Sequence, residues 1–322
     1  MPFYTLVSRG AGQGVIGARG SASKPFKLRQ IITTGYVMGG YASSTPWTNV
    51  GSINHSNDVA TNHGNLLGSA GGYIGGGCSL TVGYAFGTGG MDSYSTASRF
   101  SMATKTGLSN QGMALTVGDC ESIQNSSPSN GGATAMYITG NSSGMTKLSV
   151  ATDTYTSFGT SVNQGGTGVS SHMTENWGTF WADDQSGRKF VFATEAESTS
   201  PGSGTSANAG WHGQQKGISS KNGFGWAGNE GGYNGGNNLR RWNYTTEANT
   251  GTVGKPVTNS GEENFDMGQD RQYMLGMYDG AQNNRAWRFT YATESGTELG
   301  SGSQPSWAGS GRSSGACAWG TV

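Results

Sequence analysis

Asn284–Ser295 reads NRAWRFTYATES, and the chain repeats it. Earlier copies are LRRWNYTTEA (Leu239–Ala248), RKFVFATEA (Arg188–Ala196), TKLSVATDT (Thr146–Thr154), SRFSMATKT (Ser98–Thr106) and, more faintly, HSNDVATNH (His55–His63). The shared Ala-Thr or Thr-Thr falls at 60–61, 103–104, 151–152, 193–194, 245–246 and 292–293, giving steps of 43, 48, 42, 52 and 47 residues. A period of roughly 40–50 residues with short strands is the signature of a propeller blade. Within four of the copies apolar residues alternate: Trp287, Phe289 and Tyr291 fall on one face and Arg288 and Thr290 on the other, as Phe190 and Phe192, Leu148 and Val150, and Phe100 and Met102 do. Period-two alternation places such rows on one face of a strand, where they form core between neighbouring blades.

A second element keeps the same order. Before each copy lies a short aromatic or aliphatic strand that ends in small residues: GYVMGGY (Gly35–Tyr41), GYAFGTGG (Gly83–Gly90), AMYITGN (Ala135–Asn141), GTFWADD (Gly178–Asp184), GFGWAGN (Gly223–Asn229) and QYMLGMYDG (Gln272–Gly280). ACAWGTV (Ala316–Val322) reads as a seventh copy cut short by the C-terminus. The two markers together predict an all-β, six-bladed propeller, with blades starting near 35, 83, 135, 178, 223 and 272. A seven-bladed ring is the alternative. Pairing of the chain ends, with Cys317–Val322 beside Tyr36–Gly40, removes the two free edges of an open ring.

Composition fits this reading. The chain has 58 glycines among 322 residues, against a usual frequency of about 7%, with 12% charged and 33% hydrophobic residues. The net charge is zero and aromatics reach 10%, which separates the chain from disordered sequences. Glycine then serves tight turns and close backbone approach. A balanced charge argues against nucleic-acid binding. No apolar run reaches the roughly 18 residues of a membrane span, so membrane insertion is not expected. MPFYTLVSRGAGQGV lacks a signal-peptide pattern. Cys78, Cys120 and Cys317 are odd in number and scattered, which suits buried thiols made in a reducing cytoplasm.

Residues 1–33 stand outside the repeat as an N-terminal arm and leading strand, with the propeller expected over 34–322. Phe3, Tyr4, Leu6 and Val7 lie in an apolar segment able to pair as an added strand. Arg9, Arg19 and Lys24 lie in a Gly/Ser-rich stretch without an acid. The arm over 1–26 is either a loose tail or an extended peptide docked on another subunit. The reading taken here is docking, through those seven residues.

Most chemical motifs fail. Gly12-x-Gly14-x-x-Gly17 matches a dinucleotide fingerprint, but no helical sequence follows and the first acid is Asp58. His55 and His63 flank Asp58 without a ligand-set spacing and read, with His172 and His212, as polar loop histidines. Asp183 and Asp184 are adjacent, so on a strand they point oppositely. Glu262, Glu263 and Asp266 form no D-x-D-x-D-G loop. No catalytic, metal or cofactor residue is assigned, and no enzyme activity is expected. Trp47, Trp211, Tyr233 and Trp307 are the loop aromatics available for stacking on a sugar. Aromatics at such places also cap blade contacts and subunit interfaces.

The Gly-Gly elements at Gly39-Gly40 and Gly87 through Gly90 resemble those of Kelch propellers. Later copies depart from this, with Asp183-Asp184, Gly228-Asn229 and Met277-Tyr278 in that place. The second marker resembles the degenerate Kelch-like repeats of structural proteins of tailed phages, notably marine and cyanobacterial ones, over about residues 34–322. The resemblance implies a non-enzymatic virion component, made in the host cytoplasm: a capsid decoration or a neck or tail appendage. Its partners would be other virion proteins or copies of itself. The alternative is a carbohydrate-binding, host-recognition module of a tail fibre or spike, with a surface glycan as ligand.

Overall fold

The structure, a computed structural model, describes residues 31–42, 45–72, 74–90, 94–117, 121–126, 133–139, 144–158, 170–173, 177–181, 187–198, 216–217, 224–227, 238–243, 246, 248–254, 264–267, 271–275, 286–300 and 315–321. Among the described residues every element is a strand. The chain opens with β1 (Ile31–Met38), the short pair β2 (Tyr41–Ala42) and β3 (Thr45–Pro46), then β4 (Asn49–Asn54) and β5 (Val59–Asn65). There follow β6 (Gly75–Cys78), β7 (Val82–Thr88), β8 (Tyr94–Ser101) and β9 (Thr106–Val117), and then β10 (Glu121–Ser126), β11 (Ala133–Thr139), β12 (Met145–Ser149) and β13 (Thr154–Phe158). Next come β14 (Ser170–Met173), β15 (Trp177–Trp181), β16 (Gly187–Val191), β17 (Ala196–Ser198) and β18 (Lys216–Gly217), followed by β19 (Phe224–Ala227), β20 (Asn238–Asn243) and β21 (Ala248–Gly254). The last are β22 (Asn264–Met267), β23 (Arg271–Leu275), β24 (Ala286–Thr290), β25 (Ser295–Gly300) and β26 (Gly315–Thr321).

These strands form six principal sheets, numbered here in chain order, beside the β2-β3 hairpin. The orders are β26-β1-β4-β5, β6-β7-β8-β9, β10-β11-β12-β13, β17-β16-β15-β14-β18, β19-β20-β21 and β22-β23-β24-β25. All pairings between these strands are antiparallel except that of β18 with β14. Leading strands of different sheets lie side by side: β26 by β6, β6 by β10, β10 by β14, and β22 by β26 and β18.

Both sequence markers find their place in these sheets. The first marker is carried by β1, β7, β11, β15, β19 and β23, and from the second sheet on the second marker begins in the antiparallel strand that follows it, β8, β12, β16, β20 or β24. β7, β11 and the described side chains of β1 are buried on both faces, so these strands read as nearly continuous apolar runs. Tyr36 and Met38 join a core with Phe100 and Met102 of the second sheet, while Val37 joins Tyr273 and Ala286 of the sixth. Ala85 faces back to the first sheet, and Tyr84 and Phe86 face Met136, Ile138 and Leu148 of the third. Ala135 and Tyr137 face Phe180, Phe190 and Phe192 of the fourth. Each fully buried aromatic or long aliphatic side chain contributes about 1.5–3 kcal/mol. The rows of alternating aromatics are therefore core between sheets.

Three expectations need correction. ACAWGTV does not repeat the first marker. Residues 315–321 form the strand ahead of it, pairing with β1 in the register Cys317↔Tyr36 and Ala316↔Val37. That agrees with the expected meeting of the chain ends but places the last strand one position further in. The first strand begins at Ile31 rather than near residue 35. The faint first repeat is also misaligned. Ala60 and Thr61 lie within β5, and the turn equivalent to Met102–Lys105 is His55–Asp58. Asp58 N–H donates to the Asn54 carbonyl at 2.9 Å, just as Lys105 N–H donates to Ser101. Counted from this turn the first step is 47 residues. The apparent Ala-Thr match was a local coincidence in a small-residue-rich chain.

Gly39 shows why the Gly-Gly element exists. Its φ is +59°, and a Cβ there would stand 2.5 Å from Ile74 Cδ1 and 3.1 Å from the Gly71 carbonyl oxygen. The next N–H, that of Gly40, donates to the same Gly71 oxygen at 2.9 Å, and Gly71 bridges both Trp47 and Gly90. Small residues let three chain segments of the first two sheets meet backbone to backbone.

Candidate functional site

The four-residue turns after the third strands concentrate the ionic chemistry of the repeat. Each ends in a residue with left-handed backbone: Asp58 (φ 60°), Lys105 (55°), Asp153 (53°), Glu195 (48°) and Glu294 (47°). Four-residue hairpin loops are commonly built on a type I turn, and glycine is the usual occupant of left-handed positions. A side chain there costs on the order of 1–3 kcal/mol, so its retention points to a compensating contact.

That contact reaches across to the preceding sheet. The Glu195 carboxylate, in the fourth sheet, accepts a 2.6 Å hydrogen bond from the Tyr137 hydroxyl and pairs with Lys147, both of the third sheet. Tyr137 and Lys147 stand directly opposite each other in the β11–β12 register. Asp153 pairs with Arg99 and receives a long 3.5 Å contact from the Tyr84 hydroxyl, and Tyr84 and Arg99 are again cross-strand partners. Glu294 takes Arg241 in both carboxylate oxygens, at 2.9 and 3.2 Å, with Trp226 in the tyrosine's place. Asp58 accepts from the Tyr273 hydroxyl at 2.6 Å and pairs with Arg288 of the sixth sheet, Tyr273 and Arg288 being cross-strand partners. We term this arrangement a clasp: an aromatic and a cation from one sheet, closed by a carboxylate from the next. Lys189, 4.7 Å from the Trp177 ring centroid, holds the cation position in the fourth sheet. Glu247, its counterpart by repeat position, lies outside the described residues.

The electrostatics follow from geometry. Burial, then the Glu195 carboxylate, holds the Tyr137 hydroxyl well above its ordinary value of 10. Tyr273 is raised in the same way, by burial and then by Asp58. Lys147, then Tyr137, holds the Glu195 carboxyl below its ordinary 4.5.

The first-to-second seam inverts the pattern. Ser52 stands in the cation's register position opposite Tyr36, and Lys105 replaces the carboxylate. Lys105 donates to the Tyr36 hydroxyl oxygen and to the Met102 carbonyl, with Nζ 4.7 Å from the Tyr36 ring centroid. Ser52 Oγ and His63 Nε2 are 2.8 Å apart. Ser52 is only 7% exposed, which places this contact inside the seam.

The candidates named from sequence fare unevenly. Phe3, Tyr4, Leu6, Val7, Arg9, Arg19 and Lys24 lie outside the described residues, as do Trp211, Tyr233 and Trp307. So do Gly12, Gly14, Gly17, Asp183, Asp184, Glu262 and Glu263. Trp47 is half-buried against Val37, Ile53, Tyr273 and Ala286. Its ring is thus a seam contact between the first and sixth sheets rather than an open stacking platform. His55 and His63 also differ from polar loop histidines. His55 is buried and stacked on Tyr273 at 4.9 Å, whereas His63 lies near Tyr36. They engage different seams of the first sheet and do not converge. Among the described residues no group of His, Cys, Asp or Glu is placed to hold a metal. Cys78 is a buried free thiol, as expected. The clasps were missed because they join residues one repeat or more apart in the chain. Their signal was visible in most copies as Arg or Lys before an apolar residue, together with an acid after Ala-Thr or Thr-Thr.

No family profile and no curated protein sequence matches the chain. Among solved structures the chain is similar to YjhT, a β-propeller, with a TM-score of 0.61 at 8% identity over 85% of this chain and 99% of that one. At that identity the likeness speaks to the fold alone. A partial likeness to Kuenenia stuttgartiensis hydrazine synthase has a TM-score of 0.40 at 11% identity, covering 52% of this chain and 47% of that chain.

Proposed function

We propose that residues 34–322 close into a six-bladed propeller acting as a non-enzymatic structural component of a phage virion. It would be a capsid decoration or a neck or tail appendage, with the arm over 1–26 docking on a neighbouring subunit. The observation that carries this reading is the clasp. The contact that joins consecutive sheets recurs between the sixth and the first, where β26 also pairs with β1. Charged side chains that recur in the repeat thus hold sheets together, as expected of a rigid display unit. The Kelch-like repeat adds the virion context by resemblance. The carbohydrate-binding alternative loses Trp47, whose ring is engaged in a seam.

Mass spectrometry of gradient-purified particles tests the proposal. The chain should appear at a fixed copy number per particle, and a chain lacking residues 2–26 should fold yet fail to incorporate. Absence from particles overturns the virion reading, and normal incorporation of the truncated chain overturns the docking role.

A further inference from the structure

The inverted clasp is where the repeat's charge logic changes sign. In the neighbouring seams a cation faces a carboxylate. Between the first and second sheets, Lys105 and His63 instead approach the same Tyr36 from two sheets, with His63 centred 6.2 Å from the Tyr36 ring. Ser52 of β4 fixes the imidazole through its Nε2. The titratable groups facing His63 are therefore Tyr36 from β1 and Lys105 from the β8–β9 turn, and the charge acting on the ring is that of Lys105.

We propose that this seam is a proton-operated latch: neutral His63 lets Lys105 hold the 102–105 turn on Tyr36, and charged His63 releases it. Burial first, and Lys105 second, keep the imidazole below its ordinary pKa of 6.5, so it is neutral at neutral pH. Charging it sets two positive groups against each other across the seam. Stability from the neutral ring is complete above about pH 6.5 and falls as pH drops through the lowered folded value. The turn also carries Met102, which packs with Phe100, Leu67 and Cys78. Release would uncover the Met102 side of this core under mildly acidic conditions. Lys147, then Tyr137, holds the Glu195 carboxyl below its ordinary value, so that seam stays closed in this range. The latch does not depend on where the protein resides.

Hydrogen exchange of the full chain at about pH 7.5 and about pH 5.5, corrected for intrinsic rates, reads it directly. Protection over 102–108 should fall about tenfold in mild acid, while the 192–195 turn, closed by Glu195, keeps its own. In His63→Gln the fall should vanish. In Lys105→Met, which removes the opposing charge, an NMR titration should place the His63 midpoint higher than in the wild type. That second variant reports even if His63→Gln folds poorly. A pH-independent 102–108 segment, an equal loss in every turn, or an unchanged His63 midpoint in Lys105→Met overturns the latch.

Discussion

Asp58 and Arg288 stand 230 residues apart in the chain and form an ion pair. Tyr273 donates to the other Asp58 oxygen, so the last sheet grips the first through the same three groups that join the third to the fourth. Removing one partner of a half-buried pair leaves a charge poorly solvated. Asp58→Ala is expected to cost about 1–3 kcal/mol in urea unfolding. Ending the chain at residue 314 strips β26 from β1 and should cost more than Asp58→Ala. An equal midpoint for the truncated and full chains would show that the chain ends do not bear on stability.

Glu195→Gly tests the left-handed turn residues. Glycine at a free left-handed position should stabilise by about 1 kcal/mol. Here the same change removes the bonds to Tyr137 and Lys147, so a net loss of about 1 kcal/mol is expected. A gain in stability would show that the clasp is energetically idle.

Charge can be restored to the common pattern at the first seam. Lys105→Glu alone places a carboxylate opposite Ser52, without a cation from that strand. Adding Ser52→Arg supplies one at the register of Arg99 and Arg288. The double variant should recover about 1 kcal/mol beyond the sum of the single effects in a double-mutant cycle. It should also lose the acid sensitivity of the 102–108 segment.

Gly83→Ala should be poorly tolerated. Its Cβ would lie 2.2 Å from Phe100 Cε1 and 2.4 Å from Cζ, and Phe100 is fully buried. Overpacking of this kind costs about 1–3 kcal/mol. Combining it with Phe100→Leu should cost less than the sum of the two single changes, measured by thermal unfolding.

Stability should also fall in strong alkali. Tyr137 and Tyr273 hold their protons more tightly folded than unfolded, so their contribution is complete below pH 10 and declines above it. Glu195 works the other way: its contribution is complete above pH 4.5 and declines below it. Tyr137→Phe should flatten the alkaline limb, and Glu195→Gln the acid limb, of a stability–pH curve.

The sequence by itself determined the all-β character and the recurrence of the marker strands. Buried strands must alternate or run apolar, and four copies of Trp287-x-Phe289-like rows left that pattern readable without any partner. It also foretold the meeting of the chain ends, because an unpaired edge is costly. Tertiary structure alone decided the register of the first repeat. His55–Asp58 forms the true turn, and only the backbone bond from Asp58 to Asn54 and the left-handed φ reveal it. It likewise decided the clasps. Arg99 and Asp153 lie 54 positions apart in the chain, so neither residue carries a local signal of the other. Their meeting depends on how one sheet stacks on the next, where burial turns ordinary polar residues into specific partners. The exchange of Ser52 and Lys105 for a cation and a carboxylate has meaning only in that stacked arrangement.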